Sequence, residues 1–322
     1  MSAGGRVVKE RRILRAVLAT VLLAVFVLPA AVLTAILHHH VDYRGNMPLK
    51  EVYSAAAYGL QETVHTLRTT DGEEVWCAEV AAERPKGVIL WLAGITKPSV
   101  TQFYGHAVWL REEGFASFLL EVRAHGSSTG NQIGLGYTEV EDVQTTVEYI
   151  KSCPDYQDVP LVIWGVSMGG AIALNAFGQV AEIDGCIAMS PYASFPQVAN
   201  QVMRQYGVPA PIRAIENALM EPLLNALYGS EAVAELTPEN QIQNADGRPV
   251  FLVACQDDRT VPVENTLILQ EKAPEAMVWI RDSGDHFVVK DNDFSAVTED
   301  AEYCQKMLVW LENVVAAEQR EQ

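Results

Sequence analysis

The chain has little cysteine, little basic charge and no glycosylation acceptor. Five cysteines in 322 residues are too few, and odd in number, for a disulfide scaffold. Cys186 and Cys255 fall inside apolar runs that read as core strands, and no spacing implies a partner for Cys77, Cys153 or Cys304. Most are therefore expected as free thiols. No spacing suggests a metal site, and no cofactor is expected. Lys and Arg number 23 against 41 Asp and Glu, a net charge of −18, which argues against a nucleic-acid binder, because that class needs a basic footprint. No Asn-x-Ser/Thr occurs anywhere in the chain, which favours a bacterial cell surface over a secretory pathway. Internal repeats and low-complexity segments are also missing. With 49% hydrophobic and 20% charged residues, a disordered or collagen-like chain is ruled out.

What charge there is falls unevenly. Residues 1–15 carry Arg6, Lys9, Arg11, Arg12 and Arg15 against Glu10, a net +4, and the other 307 residues carry −22. Ala16 to Leu37 follows, 22 residues with only Thr20, Thr34 and Pro29 besides apolar types. At about 1.5 Å per residue it would span roughly 30 Å, a bilayer's hydrocarbon thickness. It exceeds the apolar stretch of a cleavable signal, about 7–15 residues, so a retained transmembrane helix is expected. The basic cluster ahead of it predicts a cytoplasmic N-terminus, with residues 38–322 on the extracytoplasmic side of the cell membrane. His38, His39 and His40 then read as an interfacial segment. The expected organisation is a basic tail 1–15, a span 16–37, a connector 38–61 and one domain 62–316.

Within that domain, Asp71-Gly72 separates alternating runs Thr63–Arg68 and Glu74–Val80, a hairpin signal. From Val88 onward the pattern changes. Continuous apolar runs at Val88–Ala93, Ala116–Glu121, Pro160–Trp164, Gly185–Met189, Pro249–Ala254 and Met277–Ile280 predict strands buried on both faces. Helical stretches at Val100–Glu113, Glu139–Lys151, Met168–Phe177, Val263–Lys272 and Thr298–Val315 alternate with them. The expected class is α/β: a mostly parallel sheet with antiparallel edge strands and helices on both faces. The alternation breaks between Ser190 and Gly247, where a helical cap insertion (about 191–247) is expected.

Gly165-Val166-Ser167-Met168-Gly169-Gly170 follows a predicted strand and opens a predicted helix, the context of a nucleophile elbow. The serine needs a tight turn that thrusts its hydroxyl out of the sheet, and Gly165 and Gly169 leave room for the neighbouring strand and helix. Its hydroxyl needs a base and the base an orienting acid. His286 is the only histidine after the elbow, and chain order makes it the candidate base. Asp257 and Asp258 compete for the acid, with Asp258 preferred; Asp285 sits too close in sequence to His286 to reach its far ring nitrogen. An oxyanion needs two backbone N–H donors. Met168 supplies one, and Ile95, in Gly94-Ile95-Thr96, is chosen for the other.

These motifs resemble the α/β-hydrolase superfamily from about residue 60 to 316. Glu121-Val122-Arg123-Ala124-His125-Gly126-Ser127-Ser128 is similar to its D-x-R-G-H-G-x-S loop, Ile163–Gly170 to its elbow, Asp258–Pro262 to its D-x-x-V-P acid turn, and Gly284–Phe287 to its G-x-H-F turn. The likeness is nearest to the membrane-anchored, serine-aminopeptidase-like and abhydrolase-domain branches. It implies Ser167 as nucleophile, Asp258 as acid and His286 as base, with His125 a structural loop residue. Two positions depart from the pattern: Ala93-Gly94 replaces the usual His-Gly, and Ala124 replaces a glycine.

The reading is a serine hydrolase acting on carboxylic esters with an apolar acyl group. A serine peptidase is the main rival, followed by an acyltransferase or a non-catalytic surface binding protein. The cap's Phe195, Met203, Tyr206, Ile212, Leu219, Met220, Leu223, Leu224, Leu227 and Tyr228 suggest an apolar pocket. The partners expected are a small-molecule ester or peptide and the membrane, with no nucleic acid.

Overall fold

The computed structural model describes residues 3–27, 31, 52–95 and 99–321. Helix α1 (Ala3–Leu22) continues into a π-helical turn, Leu23–Val27. The basic stretch and the first apolar residues thus share one helix, and among the described residues no helix is long and apolar enough to cross a membrane. The transmembrane helix expected over 16–37 is therefore not found there. The rest of that segment (28–30 and 32–37), the histidines 38–40 and Thr96 lie outside the described residues.

The Asp71-Gly72 hairpin is present. Strands β1 (Thr63–Arg68) and β2 (Glu74–Val80) pair antiparallel, closed by the Thr69 N–H donating to the Glu73 carbonyl at 2.9 Å. Gly72 holds φ 99° there, a conformation open to glycine at no steric cost. The remaining strands are β3 (Gly87–Leu92), β4 (Phe115–Glu121), β5 (Leu161–Val166), β6 (Gly185–Met189), β7 (Val250–Cys255) and β8 (Met277–Arg281). They form one eight-stranded sheet in the order β1-β2-β4-β3-β5-β6-β7-β8, parallel from β4 to β8 and antiparallel at β2–β4.

Helices cover both faces. They are α2 (Tyr104–Glu112), α3 (Glu139–Ser152), α4 (Met168–Gln179), the cap helices α5 (Phe195–Gln205), α6 (Ala210–Tyr228), α7 (Ser230–Glu235) and α8 (Pro238–Gln241), then α9 (Glu264–Lys272) and α10 (Ala301–Glu321). Period-two alternation sorts each strand's side chains between two cores. Leu90, Leu92 and Ile163 face α3, α4 and α9, whereas Ile89, Trp91 and Trp164 face α2 and α10. Both faces are dry, which is why the strands read as unbroken apolar runs. The last helix starts at Ala301 rather than at the expected Thr298, because Phe294–Glu299 form 3-10 turns and Asp300 Oδ1 accepts the Tyr303 N–H at 3.3 Å, an acceptor suited to a helix start.

Sequence order reverses across β4-β3-β5. The loops after β3 and β5 therefore diverge at the carboxyl edge, where a crevice forms in open α/β sheets. Ile95 follows β3 and Ser167 follows β5.

Candidate active site

Ser167 lies on a strained turn between β5 and α4, with φ 57° and ψ −122°. Positive φ is rare for a residue with a Cβ and costs about 1–3 kcal/mol. The turn is held by the Ser167 N–H donating to the Met189 carbonyl at 2.8 Å and by the Ala171 N–H donating to the Ser167 carbonyl at 3.1 Å. The glycines are required by backbone approach. A Cβ on Gly165 would lie 2.0 Å from the Gly169 carbonyl oxygen, and one on Gly169 would lie 2.4 Å from the carbonyl oxygens of both Leu92 and Ala93. The second contact brings the N-terminus of α4 against the end of β3, so Met168 and the Gly94-Ile95 loop sit side by side. The first N–H groups of a helix have no intrahelical acceptor, so this end suits a negative oxygen.

His286 follows β8 in a short loop, and its Nδ1 lies 2.7 Å from Asp258 Oδ2. The other carboxylate oxygen of Asp258 accepts the Thr260 and Val261 N–H groups at 2.7 and 3.1 Å. This side chain is fully buried with both oxygens satisfied. Asp257 is exposed. Asp285 is taken up by Ser283 Oγ at 2.7 Å and Asn292 Nδ2 at 3.1 Å. Of the three carboxylates considered, only Asp258 meets the histidine. Among the described residues, His286 Nε2 and the Ser167 hydroxyl have no hydrogen-bond partner, an open geometry common in ligand-free hydrolytic sites.

His125 is buried, and its ring bridges two loops: Nδ1 meets the Arg123 carbonyl at 2.9 Å and Nε2 the Ile95 carbonyl at 2.7 Å. It thereby ties the Ile95 loop to the turn after β4. Arg123 anchors that turn. Its guanidinium donates to Asp142 at 2.7 and 3.0 Å and to Asp71 at 2.6 Å, and Asp142 holds it in the charged form. Ala124, standing where the family pattern has glycine, does adopt a left-handed φ of 59°.

A family model described as serine aminopeptidase, S33, matches residues 83–246. The chain belongs to this family of α/β-hydrolases. The hydrolase is 25% identical over 233 residues to the uncharacterized protein YqkD of Bacillus subtilis, a match covering 70% of this chain and 73% of the relative. Its fold is similar to an esterase of Pyrococcus furiosus, with a TM-score of 0.60 and 18% identity over 79% of this chain and 94% of the other. An acylaminoacyl peptidase of Pyrococcus horikoshii is also similar, with a TM-score of 0.56 and 14% identity over 83% of this chain and 43% of that one.

The ten apolar cap residues of the hydrolase are scattered in exposure, with Met203, Leu219 and Leu223 half-buried. Leu224 is buried, and Phe195, Met220, Leu227 and Tyr228 pack against the core, whereas Tyr206 is 81% exposed and Ile212 is 41% exposed. The ten apolar residues therefore do not form one pocket wall. A cavity of about 750 Å³ beside the acid turn is polar, lined by Asp257, Asp258, Arg259 and Glu264 with Tyr206 from the cap. All five cysteines are free. Burial raises the thiols of Cys77 and Cys186 and pushes Cys255 up to about 11, which leaves them protonated and weakly nucleophilic. Among the described residues, no group of His, Cys, Asp and Glu side chains is arranged to hold a metal ion.

Sequence reasoning missed two contributors. Asn292 Oδ1 accepts the Phe287 N–H at 2.8 Å and so steadies the His286 loop. Ser190 reads in sequence as the first residue of the cap insertion, yet its hydroxyl donates to the His286 carbonyl at 2.6 Å. The Ser190-Pro191 pair at a strand end was the available signal, but hydroxyl direction is set only by the tertiary fold.

Proposed function

We propose that this chain is a serine hydrolase working through an acyl-enzyme, with Ser167 as nucleophile, His286 as base and Asp258 as the acid that orients it. The observation carrying this reading is the 2.7 Å Asp258–His286 contact at the same sheet edge as the strained Ser167 turn. In the acylation step Ser167 Oγ bonds to the acyl carbon while its proton passes to His286 Nε2. The carbonyl electrons move onto oxygen, which faces the N–H groups of Met168 and Ile95. Collapse expels the leaving group, which takes the proton from Nε2. Water then repeats the sequence in reverse and frees the acid. Asp258 keeps the imidazole in the tautomer with its proton on Nδ1 and stabilises the imidazolium.

The preferred substrates are carboxylic esters with an apolar acyl group. The structural likeness to an esterase supports this. The family description and the likeness to an acylaminoacyl peptidase favour amide hydrolysis as the second reading. The test is turnover of p-nitrophenyl esters of increasing chain length beside aminoacyl-p-nitroanilides, with Ser167→Ala as control. Ester turnover lost in the variant is expected. Robust anilide turnover without ester turnover overturns the ester preference.

The basic tail and the apolar composition of 16–37 support a cell-membrane location with the catalytic domain outside the cytoplasm. Recovery of the full-length chain in the membrane fraction, with its domain cleaved by protease added to intact spheroplasts, is the expected result. Recovery in the soluble fraction overturns it.

A further inference from the structure

Ser190 follows β6 directly, is 1% exposed and sits at φ 45°. It precedes Pro191, and a following proline narrows the backbone choices of this residue further. A side chain kept at positive φ persists only where its surroundings over-determine it. Three contacts do so here. The Ser190 N–H donates to the Val253 carbonyl at 2.7 Å, extending the β6–β7 ladder. The preceding carbonyl, of Met189, accepts the Ser167 N–H at 2.8 Å. The following residue, Pro191, packs against the elbow, where a Cβ on Gly170 would lie 3.3 Å from its Cβ. The segment Met189–Pro191 is therefore clamped to the nucleophile turn from both sides.

From the middle of that clamp the Ser190 hydroxyl donates to the main-chain carbonyl of His286 at 2.6 Å. Asp258 reaches the same residue through Nδ1, which governs ring rotation and tautomer. Nothing in that contact fixes how far the His286 backbone stands from Ser167. Asn292 and Arg281 hold the loop one and two residues further on, at the Phe287 N–H (2.8 Å) and the Val288 carbonyl (2.8 Å).

We infer that Ser190 is a positioning residue: its hydroxyl links the nucleophile turn to the base loop and sets the distance between Ser167 and His286 Nε2. This rests on the serine-hydrolase reading above. Ser190 is sealed from solvent, so it acts through His286 and does not touch substrate. A serine fits the role because it supplies a donor on the shortest possible arm to the half-buried His286 carbonyl.

The test compares Ser190→Ala with Ser190→Thr in the full-length chain, reading kcat, KM, thermal midpoint and the rate of fluorophosphonate labelling. Alanine keeps the Cβ and removes the donor. Threonine keeps the donor but adds a β-branch at positive φ, which is strained. For alanine, kcat and the labelling rate are expected to fall about tenfold, the worth of one hydrogen bond, with KM within about twofold of wild type. For threonine, kcat is expected within about threefold of wild type despite a lower thermal midpoint than alanine's. A structural role alone would make activity track the thermal midpoint, and this crossed pattern would not appear. Wild-type kcat in Ser190→Ala, or an equal loss in Ser190→Thr, overturns the inference. Failure of the wild-type chain to label overturns instead the serine-hydrolase reading on which it rests.

Discussion

His106 offers a stability prediction whose size follows from its surroundings. It lies on α2 with no solvent exposure, edge-on to Trp91, Phe103, Phe294 and Tyr303 at ring-centroid distances of 5.1, 5.3, 5.0 and 5.7 Å. Nε2 meets the Tyr303 hydroxyl at 3.0 Å, and Nδ1 has no partner among the described residues. Burial in this aromatic box disfavours the imidazolium and lowers the ring from 6.5 to about 3. In the unfolded chain the ring gains a proton near pH 6.5, while the native state refuses it until about pH 3. Stability from this group is therefore fully present above pH 6.5 and is lost as pH falls through that window. The slope is about 1.4 kcal/mol per pH unit, so roughly 2 kcal/mol is gone by pH 5 and on the order of 5 kcal/mol by pH 3. Replacing His106 with Leu removes the titrating group at similar volume. Urea unfolding of both proteins at pH 7.5 and pH 5.0 measures the difference. The wild type should lose about 2 kcal/mol more than His106→Leu between those values, with contributions from all other groups common to both. Equal losses would refute the claim that a sealed neutral histidine drives the acid sensitivity.

The acid turn and the elbow give two further tests. Asp258→Asn should keep the fold but offer His286 the wrong hydrogen-bond partner, lowering kcat by about 10³–10⁴, whereas Asp257→Asn should stay within about threefold because its side chain is solvated; steady-state kinetics of the pair decide it. Gly169→Ala places a Cβ 2.4 Å from two fixed backbone carbonyl oxygens, and its soluble yield and thermal midpoint should fall with a destabilisation of more than about 3 kcal/mol.

Strand positions were legible in the residue pattern because the sheet is dry on both faces: a solvated face would have put a polar residue at every second position of 88–93 and 185–189, and the Asp-Gly turn placed the edge hairpin. The elbow was legible because backbone crowding demands glycine at 165 and 169, a requirement that shows in the letters themselves. Which of Asp257 and Asp258 turns inward is visible only in three dimensions, where the Asp258 carboxylate meets the Thr260 and Val261 N–H groups and the Asp257 side chain is exposed. Ser190 and His125 each reach a main-chain carbonyl far along the chain, of His286 and Ile95, and the partner in such a contact is set only by the tertiary fold. The cap was legible as helical, but the apolarity of Tyr206 and Ile212 did not say that they point outward. The first helix escaped the hydropathy reading at its start, since it forms from Ala3 through the basic stretch rather than beginning with the apolar run.

Activation of Ser167 by His286 and Asp258 is tested most directly by mass spectrometry of the full-length chain after treatment with a fluorophosphonate. One adduct on the peptide containing Ser167 is expected, slowed by Asp258→Asn and abolished by Ser167→Ala. An unmodified wild-type chain, or an adduct that persists in Ser167→Ala, would contradict it.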